Sequence, residues 1–231
     1  GGYPDAMEEA WKLFRKTAYS SLYSYPRFTW QTVIPDQRRI SKIDLSDDYL
    51  QAIRLYASCA DELKSSELYR NDLIEFVSYY VAAKAENFYK QALKDDLENR
   101  VLAAQRNLQQ TVDLLMDVDR LLASHPLYRL EEWVELARNS GTTLQEKDAY
   151  EANAKRLITS WGGIQEDYAA RFWSGLIKDY YIPRIQLYFT KDRDKIREWE
   201  EQWITSPWSN STTPFDDPVK AALNLIEKTN K

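Results

Sequence analysis

Residues 68–93, LYRNDLIEFVSYYVAAKAENFYKQAL, decide what this chain folds into. Leu73, Phe76, Val77, Tyr80 and Val81 recur at i, i+3, i+4, i+7 and i+8, the spacing that gathers side chains on one face of an α-helix. Ser65-Ser66-Glu67 precedes the run as a helix start, and the pattern predicts a helix from there to Leu93 or beyond.

The same period extends outward in both directions. Downstream, Val101, Leu108, Val112, Leu115 and Leu122 predict a second long helix to about Ala123, broken at His125-Pro126. A short helix over 127–138 follows, with Leu130, Trp133, Val134 and Ala137 inward and Asn139-Ser140-Gly141 as its stop. The next covers 144–160, with Tyr150, Ala154, Leu157 and Ile158 inward. A helix over 164–181 is expected to kink or end at Pro183. Helices over 191–203 and 219–228 complete the C-terminal side, the last opened by Asp217-Pro218. Upstream, Ser46-Asp47-Asp48 caps a helix over 49–63, and Asp5 caps one over 5–19 with Ala10, Leu13, Phe14 and Thr17 on one face. Between these two lies a stretch of about 27 residues without helical period, carrying Tyr23, Tyr25, Phe28 and Trp30. It reads equally as a partner-facing loop and as an irregular cover. No strand pattern and no internal repeat appears. The prediction is an all-α chain, about eight or nine helices in one bundle-like domain over 1–231.

Composition limits the function. The 31 basic and 36 acidic residues are mixed along the chain, and without a basic stripe neither nucleic acid nor an anionic membrane is an expected partner. No apolar run approaches the roughly 18 residues a transmembrane helix needs, and no signal peptide is read. One cysteine, Cys59, lies in an apolar run and reads as a small core residue. With one His and one Cys, a His/Cys zinc site and a Cys-His dyad are both out of reach, and no metal ligands are assigned. Walker A, G-x-G-x-x-G, G-x-S-x-G and Glu-x-x-His patterns are absent, so no cofactor is expected. The adjacent pairs Asp47/Asp48, Asp95/Asp96, Glu131/Glu132 and Asp216/Asp217 project about 100° apart on a helix and cannot converge on one atom. They read as helix-terminal charges, and no catalytic residue is assigned.

The segment 161–184, WGGIQEDYAARFWSGLIKDYYIPR, differs from a plain packing helix. A Trp-Gly-Gly corner leads into an aromatic-rich run. As a helix it would place Tyr168 and Phe172 on one face, Asp167 near Arg171 at i+4, and Trp173, Leu176, Ile177 and Tyr180 toward the core. Trp161 and Tyr168 can pack in a core or form an apolar wall for a sugar ring, with the hydroxyl as a polar handle.

This corner resembles the C-terminal helical domain of α-N-acetylglucosaminidases, glycoside hydrolase family 89. Trp161-Gly162, Asp167-Tyr168-Ala169, Gly175-Leu176, Asp179-Tyr180-Tyr181 and Pro183-Arg184 carry the likeness. YPDAMEEAWKLFRKTAY, the long stretch at 68–93 and DVDRLLASHPLYRLEEWVELAR extend it over practically the whole chain. The resemblance implies a domain at the end of a larger glycosidase, with an N-terminal domain and a TIM-like barrel outside this chain. It implies a retaining mechanism on terminal α-linked N-acetylglucosamine, with both catalytic glutamates in the barrel. The barrel and the sugar are the implied partners, and a periplasmic or secreted bacterial location the implied setting. It assigns substrate contacts to Trp161 and Tyr168. The aliphatic contact between them is Ile164 by chemistry and Gln165 by counting back from Tyr168.

Overall fold

The computed structural model describes residues 4–20, 28–32, 46–161, 167–209 and 211–230. At its centre is α4 (Glu67–Leu97), 31 residues and about 46 Å long. The Ser66 hydroxyl caps it by accepting from the Tyr69 N–H. The predicted stripe is buried, and so are Ile74, Ala82, Ala83 and Ala85, which puts neighbours around most of the helix. α5 (Val101–Leu122) returns alongside after the turn at 98–100, and α2 (Asp47–Ser58) and α10 (Pro218–Lys228) also pack on α4. Alanines on its flanks let those backbones approach closely. Asp95, in the last turn of α4, is buried and accepts from Gln91 and Asn107 at 2.9 and 2.8 Å and from Arg100, which staples the α4–α5 turn.

α1 (Asp5–Lys16) packs on α2, with Phe14 stacked on Phe76 at 4.1 Å. Pro4, rather than Asp5, occupies the cap position, and Asp5 sits in the first turn. The helix predicted over 49–63 is split at Cys59 into α2 and a single turn, α3 (Ala60–Leu63), and Cys59 is buried as expected. Phe28, Thr29, Trp30 and Gln31 are buried, with a 3-10 turn at Thr29–Gln31 against α4. The Glu86 carboxylate receives the Thr29 N–H at 2.8 and 2.9 Å. Tyr23 and Tyr25 lie outside the described residues.

α6 (Leu130–Asn139) and α7 (Leu144–Leu157) pair side by side, with α9 (Arg193–Thr205) behind α7. α6 starts three residues later than predicted, because Leu130 N–H donates to Ser174 O and Ser174 N–H to Tyr128 O. α7 stops at Leu157, and Tyr150, expected inward, is 45% exposed.

The largest departure is the helix expected over 164–181. Asp167–Ala169 is a turn, the chain stays non-helical to Ser174, and helix begins only at Leu176. The Asp119 carboxylate, reaching across from α5, accepts from the N–H groups of Gly175 and Lys178 at 2.8 and 3.0 Å. It therefore caps the helix from another element, a contact no local pattern encodes. A π turn, Ile177–Tyr181, then leads into α8 (Ile182–Tyr188). Pro183 neither ends nor breaks this helix. Its missing N–H falls where the wide turn has already altered the bonding ladder, Ile182 N–H donating to Ile177 O. Leu176, Ile177 and Tyr180 are fully buried, as the periodicity predicted, while Trp173 is half-buried.

Candidate functional site

The corner begins where α7 ends. Trp161 N–H closes the helix end by donating to Arg156 O at 2.9 Å. Trp161 has φ 52° and Asp167 has φ 60°. Both lie in the left-handed region, where a bulky side chain costs about 1–3 kcal/mol and persists only if its surroundings enforce it. The strain falls on Trp161 at one end of the corner, while Asp167 at the other end, a residue type that tolerates this conformation, directly precedes Tyr168. Gly162, Gly163, Ile164, Gln165 and Glu166 lie outside the described residues, so the predicted contact at Ile164 has no described geometry.

Trp161 and Tyr168 come together. Their rings meet edge to face with centroids 5.3 Å apart, in the range such pairs favour. They are 37% and 62% exposed, so they form a surface wall and not part of the core. The sequence put Tyr168 close to Trp161 on the first turns of a helix, but Asp167–Ala169 is a turn and no helix begins there. The arrangement comes from a turn that folds Tyr168 back beside Trp161. Phe172, predicted to share the face of Tyr168, instead packs against Phe28 and Trp30 at 5.8 and 6.3 Å.

Beneath the wall lies a buried ionic network that the sequence did not reveal. Asp167 pairs with Arg184, not Arg171, at 2.8 Å. The same Nη1 donates to Glu200 Oε1 at 3.0 Å and to the Tyr180 hydroxyl oxygen at 3.1 Å, while Nη2 donates to Gln31 O at 2.7 Å. Tyr180 O–H in turn donates to Glu200 at 2.7 Å. Burial opposes the Arg184 charge, but Asp167, Tyr180 and Glu200 outweigh it and hold the guanidinium protonated well above its ordinary value. Burial likewise raises the Tyr180 phenol well above its usual range, keeping it a hydrogen-bond donor. The available signal was faint: Asp167 directly precedes Tyr168, and Arg184 closes the segment that carries the family resemblance.

A groove of about 360 Å³ opens between α6 and α7, lined by Trp133, Leu136, Tyr150 and Leu157 among others. Neither Trp161 nor Tyr168 lines it. Among the described residues no three His, Cys, Asp or Glu side chains converge as metal ligands, and no helix is long and apolar enough to cross a membrane.

Comparison with known proteins bears on the fold and the family. The human protein named alpha-N-acetylglucosaminidase is 28% identical over 211 residues, 85% of this chain and 27% of its own length. A family 89 glycoside hydrolase from Clostridium perfringens, solved in complex with PUGNAc, superposes with a TM-score of 0.83 at 21% identity, over 98% of this chain and 30% of that one. An enzyme from the same organism, solved in complex with its substrate GlcNAc-alpha-1,4-galactose, superposes with a TM-score of 0.82 at 20% identity and the same coverage. This chain therefore spans under a third of the length of these relatives. The family described as the alpha-N-acetylglucosaminidase (NAGLU) C-terminal domain matches residues 1–228, practically the whole chain, and the chain belongs to that family.

Proposed function

We propose that this chain is the C-terminal helical domain of a longer α-N-acetylglucosaminidase and supplies one wall of the pocket for terminal α-linked N-acetylglucosamine. The observation that carries the reading is the exposed Trp161–Tyr168 ring pair, presented on a strained corner at the end of α7. An edge-to-face aromatic pair offers the C–H face of a pyranose an apolar surface, and the Tyr168 hydroxyl can bond a ring substituent. Ile164 is the aliphatic contact in this reading. Retaining hydrolysis needs two carboxyls about 5–5.5 Å apart across the scissile bond. We assign neither to this chain; both belong to the barrel in the remainder of the longer protein, which is the partner of this domain. A periplasmic or secreted location goes with this reading.

The 231-residue chain alone should not turn over an aryl α-N-acetylglucosaminide; turnover would sink the reading. In the longer enzyme, Trp161→Ala should lower kcat/KM by about 10- to 100-fold with the fold intact. Wild-type kinetics in that variant would remove Trp161 from the site. The alternative reading is a free-standing helical glycan-binding or protein-interaction module, cued by the aromatic stretch at 20–45, of which Phe28 and Trp30 are buried. Tight binding of N-acetylglucosamine by the isolated chain in calorimetry would favour it.

A further inference from the structure

We propose that Asp167 and Arg184 are positioning residues for substrate binding, acting through Tyr168. The proposal rests on the sugar-wall reading above and deepens it. Tyr168 follows a residue whose backbone is left-handed, φ 60°, without being glycine. Among the contacts that hold Asp167 in that conformation, its N–H donates to Thr159 O at 3.0 Å, its carbonyl accepts from Ala170 N–H at 3.2 Å, and its carboxylate is clamped by Arg184 at 2.8 Å. Of these three, the Arg184 clamp reaches across to another element. Arg184 itself cannot move, because it is also fixed by Glu200 on α9, Tyr180 on the π turn and the Gln31 carbonyl on the 3-10 turn.

A buried ion pair is weak evidence for stability, since desolvation offsets much of its attraction. Its geometric consequence here is more definite. Weakening the clamp on the carboxylate frees the 167–169 turn to shift against the helix that carries Arg184, and the Tyr168 ring moves with it relative to Trp161. The network thus sets the spacing and angle of the two rings. Any substrate that stacks on them meets a wall whose geometry is set from the buried side.

The test uses the longer enzyme that carries this domain. Asp167→Asn keeps the side-chain shape and leaves Arg184 paired with Glu200. It is expected to lower kcat/KM on an aryl α-N-acetylglucosaminide by about 10- to 100-fold, the cost of a misplaced contact, with little change in Tm. Arg184→Lys, a point charge in place of a fork, should do the same. If Arg184→Lys does not fold, Asp167→Asn carries the test alone. The decisive readout is a cycle with Tyr168→Ala. If Asp167 acts through Tyr168, Asp167→Asn causes no further loss once the ring is gone. A purely structural role predicts losses that multiply, and that result, or wild-type kcat/KM in Asp167→Asn, overturns the proposal. If Tyr168→Ala is itself silent, the sugar-wall reading falls, and the positioning proposal with it.

Discussion

Gly175 shows how one residue joins three elements. Its φ is +83°, and a Cβ built there would sit 3.1 Å from Trp208 Cζ2 and 3.2 Å from Leu130 Cβ. Gly175→Ala therefore meets backbone strain and steric pressure together, and we expect a loss of about 1–3 kcal/mol in denaturant unfolding. His125 is the only histidine, buried in the turn after α5, where its Nδ1 accepts from the Leu127 N–H at 3.1 Å. Burial lowers its pKa below the ordinary 6.5, so the unfolded chain binds the proton first. Its contribution is thus fully present above the unfolded value and is lost progressively as pH falls from there through the lower folded value. Unfolding measured between about pH 7 and pH 5 should show a shallower fall in stability for His125→Gln than for the parent. The sequence placed His125 in this turn correctly, but only the packing explains its neutral state.

At the scale of elements, the helices with their own caps and periodic faces were legible. α5 and α10 lie close to where their apolar spacing put them, because each meets its neighbours with one consistent face, and α4 does so although it is buried around most of its circumference. The segment after Trp161 was misread because its helical spacing is genuine from Leu176 on but has no meaning before it. What delays the helix is Asp119, fully buried on α5, which accepts from the N–H groups of Gly175 and Lys178 and from Thr212 Oγ1 at 2.5 Å. Burial pushes the Asp119 carboxyl up, and these donors pull it back. Asp119→Ala would leave buried donors unsatisfied at the start of the π turn and cost on the order of 3 kcal/mol. Amide exchange should show the loss first at Gly175 and Lys178; unchanged protection there would contradict the capping role.

Across the whole molecule, contacts between distant positions tie the C-terminal helix to the central helices. Tyr80 on α4 donates to Asn230 at 2.9 Å, and Lys228 pairs with Asp117 on α5 at 2.6 Å. Trp30, fully buried, stacks on Phe28 at 4.9 Å and meets Tyr181 edge-on at 5.5 Å, so the 3-10 turn fills the space between α4 and the π turn. Trp30→Ala should destabilise the domain by about 3–5 kcal/mol in chemical denaturation. Because Gln31 O also holds Arg184, that variant should loosen the corner near Tyr168, visible as faster amide exchange at Asp167. A near-neutral Trp30→Ala would mean the turn is a cover and not part of the core.

The sequence by itself determined the all-α class, the long central helix and its partner, and most of the buried faces, and it brought Trp161 and Tyr168 forward as candidates. Those follow from local periodicity, caps and a family resemblance, all properties of neighbouring residues. Only the tertiary structure decided that Asp167 pairs with Arg184, that Asp119 caps a helix from another element, and that Phe28 and Trp30 are core. Each joins residues far apart in the chain, and burial, not spacing, makes the contact strong. The exposed Trp161–Tyr168 ring pair sits beside a buried charge network that joins Gln31 and Arg184 across 153 positions.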